Sequence, residues 1–471
     1  MSTWSILLFC LYVLAILCSA RAILKSRTPQ GAVAWTVGLL SFPIVSVPLY
    51  VVFGRSKFNG YRIKRQTLDR RARDELSKIA RVSDHEVAAP EALVNLGAVV
   101  AATKQAGFTA NNKISLLVDA RNAYPAMFEE ISKAKKYILF QFYIFRCDEI
   151  GKQFIDALAK KAREGVQVKF LYDEIGSKIP KKLLREMESS GIRVGQFNTT
   201  KGFNNRFQVN FRNHRKVIVA DGCVAVTGGL NIGQEHLGRN AKLGNWRDTS
   251  LRIEGPAAMA IQAAFAKDWF WSQGEMLQDC WEVRCADDGA SNVLALHTGP
   301  VDDLRTCLHA HVSLINASTR RLWVATPYMV LPDTLNDALC LAALRGVDVR
   351  VLVPARSDNP LVHQASKVYE EELLVSGVRM YRYTSGFLHQ KAMVIDDLVG
   401  VVGSANLDYR SMFLNFEMTV VCSDNAFVGD VASMLEEDFR CSRELSPKDF
   451  QNRGFWKRLL ERSADLFAPL L

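Results

Sequence analysis

The sequence contains no CxxC pair and no Cys/His cluster at zinc spacing, although ten cysteines are scattered from Cys10 to Cys441. A structural zinc site is thereby excluded. Reduced thiols in a cytosolic setting, several of them buried as small hydrophobes, are the expected state. Compositional bias is also missing. With 49 % hydrophobic and 23 % charged residues, the 471-residue chain matches ordinary globular proteins, which excludes disorder and fibrous repeats. Its length allows two to four domains. Charge is absent from two long stretches, residues 1–20 and 28–54, and net charge is absent from most of the rest. Residues 1–81 hold 13 Lys+Arg against 3 Asp+Glu, which is the whole of the +10; the other 390 residues balance at 46 of each. A charge-neutral body argues against a nucleic-acid partner.

The uncharged stretches are apolar. The first is WSILLFCLYVLAILC (Trp4–Cys18), and the second runs AVAWTVGLLSFPIVSVPLYVVFG from Ala32 to Gly54. About 20 helical residues cross a bilayer core, so each is long enough to span. A short connector, Arg21 to Arg27, makes them a helical hairpin. A cleaved signal peptide fits less well, because no basic n-region precedes the first run and a second follows directly. Soluble core helices rarely lack a polar face over such a length. The dense basic stretch from Arg55 to Arg81 places the following body in the cytoplasm by the positive-inside rule and suits an anionic leaflet. The connector carries three bases of its own, however, and both basic segments cannot be cytoplasmic if both runs cross fully. Pro43 and Pro48 offer a way out, as a kinked or re-entrant second run.

The body repeats itself. YILFQFYIF (Tyr137–Phe145), a helical stretch to Gly165 and VQVKFLYDE form one strand–helix–strand unit. LWVATPYMV (Leu322–Val330), a helical stretch to Gly346 and VDVRVLVPA form another. This alternation predicts parallel strands in a helix-covered sheet. About 50 residues after each unit comes a matching block, HRKVIVADGCVAVTGGLN from His214 to Asn231 and HQKAMVIDDLVGVVGSAN from His389 to Asn406. Both obey H-x-K-x4-D-x6-G-[SG]-x-N, 175 residues apart. The chance expectation is on the order of 10⁻⁷ to 10⁻⁸ per starting point from average residue usage.

Residues two apart on a strand share a face, so His214 projects with Lys216 and His389 with Lys391. An imidazole beside a fixed ammonium suits a phosphodiester, one group reacting while the other neutralises non-bridging oxygens. Two half-sites supply two histidines, one to attack phosphorus and one to protonate the leaving oxygen. Asp221 and Asp396 fall at turns after the strands and are expected to orient the lysine or the loop. Gly228 and Gly403 allow close approach of backbone to a phosphate, and Asn231 and Asn406 can donate hydrogen bonds to it. Asp248 and Glu417 follow the histidines of their own repeats by 34 and 28 residues. They are the expected holders of His214 and His389 through Nδ1–H. Asp408 and Arg410 read as a structural pair. No Asp/Glu/His cluster near either block has metal-ligand spacing. The final FWKRLLERSADLFAPLL, from Phe455, mixes apolar residues and bases at helical spacing; it can dock on a membrane surface or pack on the body.

In these residues the sequence resembles the phospholipase D superfamily, defined by two HKD blocks, and within it the bacterial cardiolipin synthases. The narrower resemblance rests on RTPQGAVAWTVGLLSFPIVSVPLYVVFGR, GGLNIG, WRDTSLRIEGPA, GSANLDYRSMFLNFE and LFAPLL, and spans essentially the whole chain. It implies an α/β fold of two phospholipase D-like repeats, each a mixed β-sheet flanked by helices, related by a pseudo-twofold, after an N-terminal transmembrane helical hairpin. The expected segments are 1–54 for the hairpin, 55–105 for a basic juxtamembrane region, 106–290 and 291–445 for the two repeats, and 446–471 for a membrane-contacting tail. The resemblance further implies one active site built by both halves. His214, Lys216, Asp221, His389, Lys391 and Asp396 would be catalytic, and Asn231, Ser404 and Asn406 would bind substrate. A phosphatidyl group would pass between two phosphatidylglycerols through a phosphatidyl–histidine intermediate, giving cardiolipin and glycerol, with no metal or nucleotide cofactor, at the bacterial inner membrane. His214 is the expected nucleophile and His389 the acid and then base, although near-symmetry leaves the reverse open. Hydrolysis by a membrane phospholipase D shares the same intermediate. A non-catalytic scaffold would be expected to have lost a member of one HKD set, and none is lost. Gly229, where the second copy has Ser404, departs from the superfamily pattern and makes strictly equivalent phosphate contacts doubtful.

Overall fold

The computed structural model describes residues 3–26, 29–54, 61, 84–198, 210–240, 243–277, 281–451 and 453–468. The basic stretch of residues 55–81 lies outside the described residues but for Tyr61. The chain divides into two compact units, Met1–Gln66 with Asn198–Phe211, and Thr67–Phe197 with Arg212–Leu471. All nine described cysteines are free.

Among the described residues the first unit carries the helices α1 (Thr3–Lys25), α2 (Pro29–Ser41) and α3 (Pro43–Phe53). Among the described residues only α1 is long and apolar enough to cross a membrane. The second apolar run is divided between two shorter helices, α2 and α3. It breaks at Phe42, whose backbone (φ −134°, ψ 60°) leaves the helical region that a following proline disfavours. Beyond the break the chain folds back. Trp35 on α2 meets Tyr50 on α3 edge-to-face at 5.1 Å between ring centroids. A continuous helix would hold these two residues about 22 Å apart. A Cβ on Gly38 would lie 3.4 Å from Ser46 Oγ, so the close crossing leaves little room for a larger residue there. Both short helices pack on α1, where Ala15 and Ala22 join Leu39, Val47 and Tyr50 in one apolar cluster.

The second unit holds both repeats. The first sheet contains β1 (Phe108–Val118), β2 (Tyr137–Phe142), β3 (Gln167–Asp173), β4 (Ile192–Phe197), β5 (Val217–Ala220), β6 (Val224–Gly228) and β7 (Thr249–Glu254). Their spatial order is β4-β3-β2-β5-β6-β7-β1, parallel through β4-β3-β2 and antiparallel beyond. The second sheet contains β8 (Ser291–Thr298), β9 (Arg321–Ala325), β10 (Asp348–Pro354), β11 (Arg379–Tyr383), β12 (Ala392–Ile395), β13 (Val399–Gly403) and β14 (Asn415–Cys422). Its order repeats the first, β11-β10-β9-β12-β13-β14-β8. The sheets are joined through β1, which pairs with β8 near Thr109 and Asn112 and with β7 from Lys113 onward. Each sheet has its own apolar core, one around Phe140, Phe154 and Phe170, the other around Leu322, Val351 and Leu339. The strands are rich in β-branched and aromatic residues that suit a pleated surface buried on both faces.

Asp221 and Asp396 are tied into this framework. Each occupies a turn in the left-handed region (φ 52° and 50°). The Asp221 carboxylate accepts backbone N–H groups of Lys135, Lys136 and Tyr137 at 2.7–2.9 Å, pinning the entry to β2. Asp396 does the same for Thr319, Arg320 and Arg321 at 2.8–3.0 Å, at the entry to β9. Five strand residues, about 17 Å, separate each aspartate from its lysine, so of the two expected targets it is the loop, and not the lysine, that each aspartate orients. Replacing Asp396 by Ala unties three N–H groups and is expected to cost about 1–3 kcal/mol of stability. Denaturant unfolding of the solubilised full chain measures this; a variant of unchanged stability but no activity would return Asp396 to the chemistry.

Candidate active site

The two blocks meet at a single cleft of about 1200 Å³ between the repeats, lined by His214, His389, Asn231, Asn406, Tyr143, Tyr328 and Trp246 among others. Short parallel bridges set the histidines. Residues Arg212–Asn213 pair with Asn415–Phe416 of the other repeat, and Phe387–Leu388 pair with Trp246–Arg247. His214 N–H then donates to Phe416 O at 2.9 Å, and His389 N–H to Arg247 O at 2.8 Å.

The same crossing decides which carboxylate holds which ring. His214 Nδ1 lies 2.9 Å from Glu417 Oε2, and His389 Nδ1 lies 2.7 Å from Asp248 Oδ2. Sequence position had matched each carboxylate to the histidine of its own repeat; the structure exchanges them. Both carboxylates are fully buried. A carboxylate can only accept here, so each Nδ1 carries the proton and each Nε2 is left as the acceptor ring atom. Burial lowers the pKa of His214 to about 4 against the pull of Glu417, so the ring is neutral at physiological pH. His389 is also lowered, by burial and by Lys391, with Asp248 opposing. Burial alone would raise Asp248, yet Lys391 and His389 hold it near 2.

Ser404 does not reach the cleft. It is completely buried behind Glu417, to which its hydroxyl donates at 2.5 Å, while it accepts Met418 N–H at 2.9 Å. The expectation of a phosphate contact is corrected accordingly. At the matching position a Cβ on Gly229 would stand 2.0 Å from Asp248 Oδ1, so a side chain is excluded there. Thr249 N–H donates to that oxygen at 2.8 Å in place of the missing hydroxyl. The asparagines also differ. Asn231 Oδ1 accepts Ile144 N–H at 3.1 Å, whereas Asn406 Nδ2 donates to Asp408 at 2.9 Å. Asp408 in turn caps the short helix Tyr409–Phe413 by accepting Ser411 N–H at 2.7 Å.

Both lysines lie beneath the histidines. Lys216 Nζ donates to His214 O at 2.6 Å and sits 5.4 Å over the Tyr143 ring. Lys391 Nζ lies 3.2 Å from His389 Nε2 and donates to the His389 carbonyl. Burial brings their pKa values down to about 7 and about 8. Incompletely compensated ammoniums of this kind favour an anion at the cleft floor.

Several contributors gave no sequence signal. The residues between His and Lys point away from the cleft and anchor to aspartates on covering helices. Arg215 donates to Asp268 at 2.7 Å, and Gln390 to Asp438 at 2.6 Å, with Arg247 gripping Asp438 at 2.7 and 2.9 Å. Tyr143 packs on His214 at 4.9 Å between centroids and Trp246 on His389 at 5.2 Å. His236, outside both blocks, lines the cleft against Trp246, and burial drives its pKa to about 3. Arg212 and Arg410 line the cleft as well. Only the match of Tyr143 with Tyr328 at equivalent places in the repeat could have drawn notice. No group of three or more His, Cys, Asp or Glu side chains among the described residues could hold a metal ion.

Comparison with known proteins agrees with this architecture. A family model described as cardiolipin synthase, PLD-like domain, matches residues 127–269 and 312–440. A phospholipase D-nuclease N-terminal model matches residues 13–55. Cardiolipin synthase A of Pseudomonas putida (strain W619) is 39 % identical over 472 residues, covering 98 % of this chain and 97 % of that protein. Cardiolipin synthase A of Pseudomonas aeruginosa (strain LESB58) is 40 % identical over 476 residues, covering 99 % and 96 %. Among solved structures, phosphatidylserine synthase of Haemophilus influenzae Rd KW20 superposes with a TM-score of 0.59 at 15 % identity, over 77 % of this chain and 97 % of that one, which is a likeness of fold. A duplicated block, a doubled sheet and full-length relatives converge on one conclusion: the chain belongs to the PLD-like cardiolipin synthase family.

Proposed function

We propose that the protein is a cardiolipin synthase that transfers a phosphatidyl group from one phosphatidylglycerol to another. The observation that carries the chemistry is the pair of histidines facing one cleft, each with Nδ1 tied to a buried carboxylate of the opposite repeat. In the first half-reaction His214 Nε2 attacks phosphorus; a P–N bond forms as the P–O bond to glycerol breaks. His389, as imidazolium, gives its Nε2 proton to the departing glycerol oxygen. Neutral His389 then takes the proton of a hydroxyl on the second phosphatidylglycerol, whose oxygen attacks phosphorus. The P–N bond breaks, cardiolipin leaves and both rings return to their starting state. The low pKa of His214 supports its role as nucleophile; His389, whose pKa is also lowered, must take up a proton to act as the acid, and Asp248 at 2.7 Å stabilises the imidazolium once it forms. Lys216 and Lys391 neutralise the charge that grows on the non-bridging oxygens, helped by Asn231.

Loss of either histidine as Ala is expected to reduce transfer by about 10²–10⁴-fold. The products decide between transfer and hydrolysis: purified enzyme with phosphatidylglycerol should give cardiolipin plus glycerol, and mainly phosphatidic acid would overturn the synthase reading. In the same assay kcat/KM should fall below about pH 4 as His214 takes up a proton. It should fall again as His389, whose pKa is lowered from the ordinary imidazole value, loses its proton, and further above about pH 7–8 as Lys216 and then Lys391 lose theirs. A profile without the alkaline limb would remove the lysines from charge neutralisation.

The helices of the first unit support a membrane arrangement of one crossing by α1 and a re-entrant pair, α2 and α3. At about 20 and 17 Å, neither short helix matches a hydrocarbon core of about 30 Å. Their fold-back returns residue 54 to the side on which α1 ends. The three bases of the connector and those of residues 55–81 then share one face, which by the positive-inside rule is the cytoplasm. In a cysteine-depleted full chain, Gln30→Cys and Ser56→Cys should label with an impermeant maleimide from the same side of sealed vesicles. Labelling from opposite sides would restore a two-span hairpin.

A further inference from the structure

The last described helix, Phe455–Asp465, sorts its residues by chemistry. Its inner face packs along the helix Pro360–Val375 of the second repeat through Ala464 and the buried Glu461. Polar ties lock that seat. Tyr369 Oη donates to Asp465 at 2.8 Å, and Arg453 forms ion pairs with both Glu461 and Glu371. The acids of the helix are thus turned inward and engaged. Its outer face shows the reverse selection. Phe455 is 70 % exposed, Trp456 78 % and Leu466 81 %, with Leu459, Leu460 and Phe467 beside them. The exposed charges among them are Lys457, Arg458 and Arg462.

A soluble surface seldom leaves three large aromatics and three leucines bare along one short helix and its continuation. Aromatics interleaved with bases, and no outward acid, match the headgroup–acyl boundary of an anionic bilayer. The location adds to this. Pro360 and Val362, in the first turn of the helix that carries this element, line the catalytic cleft. Tyr369, which holds the amphipathic helix, is about 10 Å further along the same helix. We infer that the outer face of Phe455–Phe467 is an interfacial seat for anionic phospholipid, placed to bring the cleft mouth against the lipid surface from which substrate enters. The seat acts on delivery of lipid, not on bond breaking.

Two measurements test this in the full chain, reconstituted in vesicles of equimolar phosphatidylglycerol and phosphatidylcholine. In the first, brominated phospholipids quench tryptophan emission, and Trp456→Phe isolates the contribution of Trp456. The seat requires that contribution to be quenched, and emission that ignores the bromine overturns it. In the second, Phe455→Ser with Leu460→Ser, and separately Lys457→Glu with Arg458→Glu, are assayed for total phosphatidyl turnover, cardiolipin plus phosphatidic acid. Turnover of bilayer phosphatidylglycerol should fall about tenfold or more, with monomeric short-chain phosphatidylglycerol in solution turned over within about twofold of the parent. Equal rates on both substrates, or loss on both, overturns the seat. A change in protomer number with the same variants would instead assign the face to a second copy of the chain. Because turnover counts both products, an enzyme that only hydrolyses would sink the transfer reading and leave this test intact.

Discussion

The site depends on two hydrogen bonds that cross between the repeats, Glu417 to His214 and Asp248 to His389. Each sets a tautomer, presents one Nε2 to the cleft and supplies a buried negative charge next to a buried cation. Neither repeat contains a complete unit: a histidine and its lysine come from one half, and the carboxylate that orients the ring comes from the other. The bridges Arg212–Asn213 with Asn415–Phe416, and Phe387–Leu388 with Trp246–Arg247, make the exchange a matter of backbone geometry and not of side-chain reach. Arg215, Gln390 and Arg247 clamp those segments from behind through Asp268 and Asp438, so the strands that carry the histidines are fixed on both faces.

The pseudo-symmetry is close but broken where the chemistry allows it. Glu417 is one methylene longer than Asp248 and takes a hydrogen bond from Ser404; the shorter Asp248 fills the space that Gly229 leaves open and takes one from Thr249 N–H. The Gly229 departure is thus compensated at the carboxylate and does not create a gap at the phosphate. What also differs between the halves is the length of the contact to each ring, 2.7 Å on one side and 2.9 Å on the other.

Much of this was legible in the sequence. The block from His214 to Asn231 recurs 175 residues on, after the same strand–helix–strand unit, and that repetition pointed to the doubled sheet and to the paired histidines and lysines. Asp248 and Glu417 were visible as equivalents, but linear order suggested self-pairing, because sequence distance carries no information about which repeat a bridge will cross to. For Asp221 and Asp396 the motif left lysine and loop open as targets, and only the strand's length between them and the lysines decides for the loop. Ser404 misled because a hydroxyl next to a glycine turn reads the same whether it faces substrate or a neighbouring carboxylate. Arg215, Asp268, Arg247 and Asp438 gave no signal, since a buried ion pair joins positions with no common spacing. In the membrane segment, Pro43 marked the break, while the fold-back that follows rests on Trp35 meeting Tyr50, a contact no hydropathy profile contains.

The crossed carboxylates also govern timing. Glu417 stands 203 residues beyond His214, so a chain emerging at about 5–20 residues per second presents the first histidine roughly 10–40 s before its partner exists. During that interval the first repeat can assemble its own sheet and core, yet its imidazole lacks the group that fixes its tautomer. Synthesis itself therefore delays reactivity: by the time both rings are oriented, the N-terminal helices have long since left the ribosome and had time to reach the bilayer. An enzyme that attacks phospholipid headgroups becomes competent last, after its anchor.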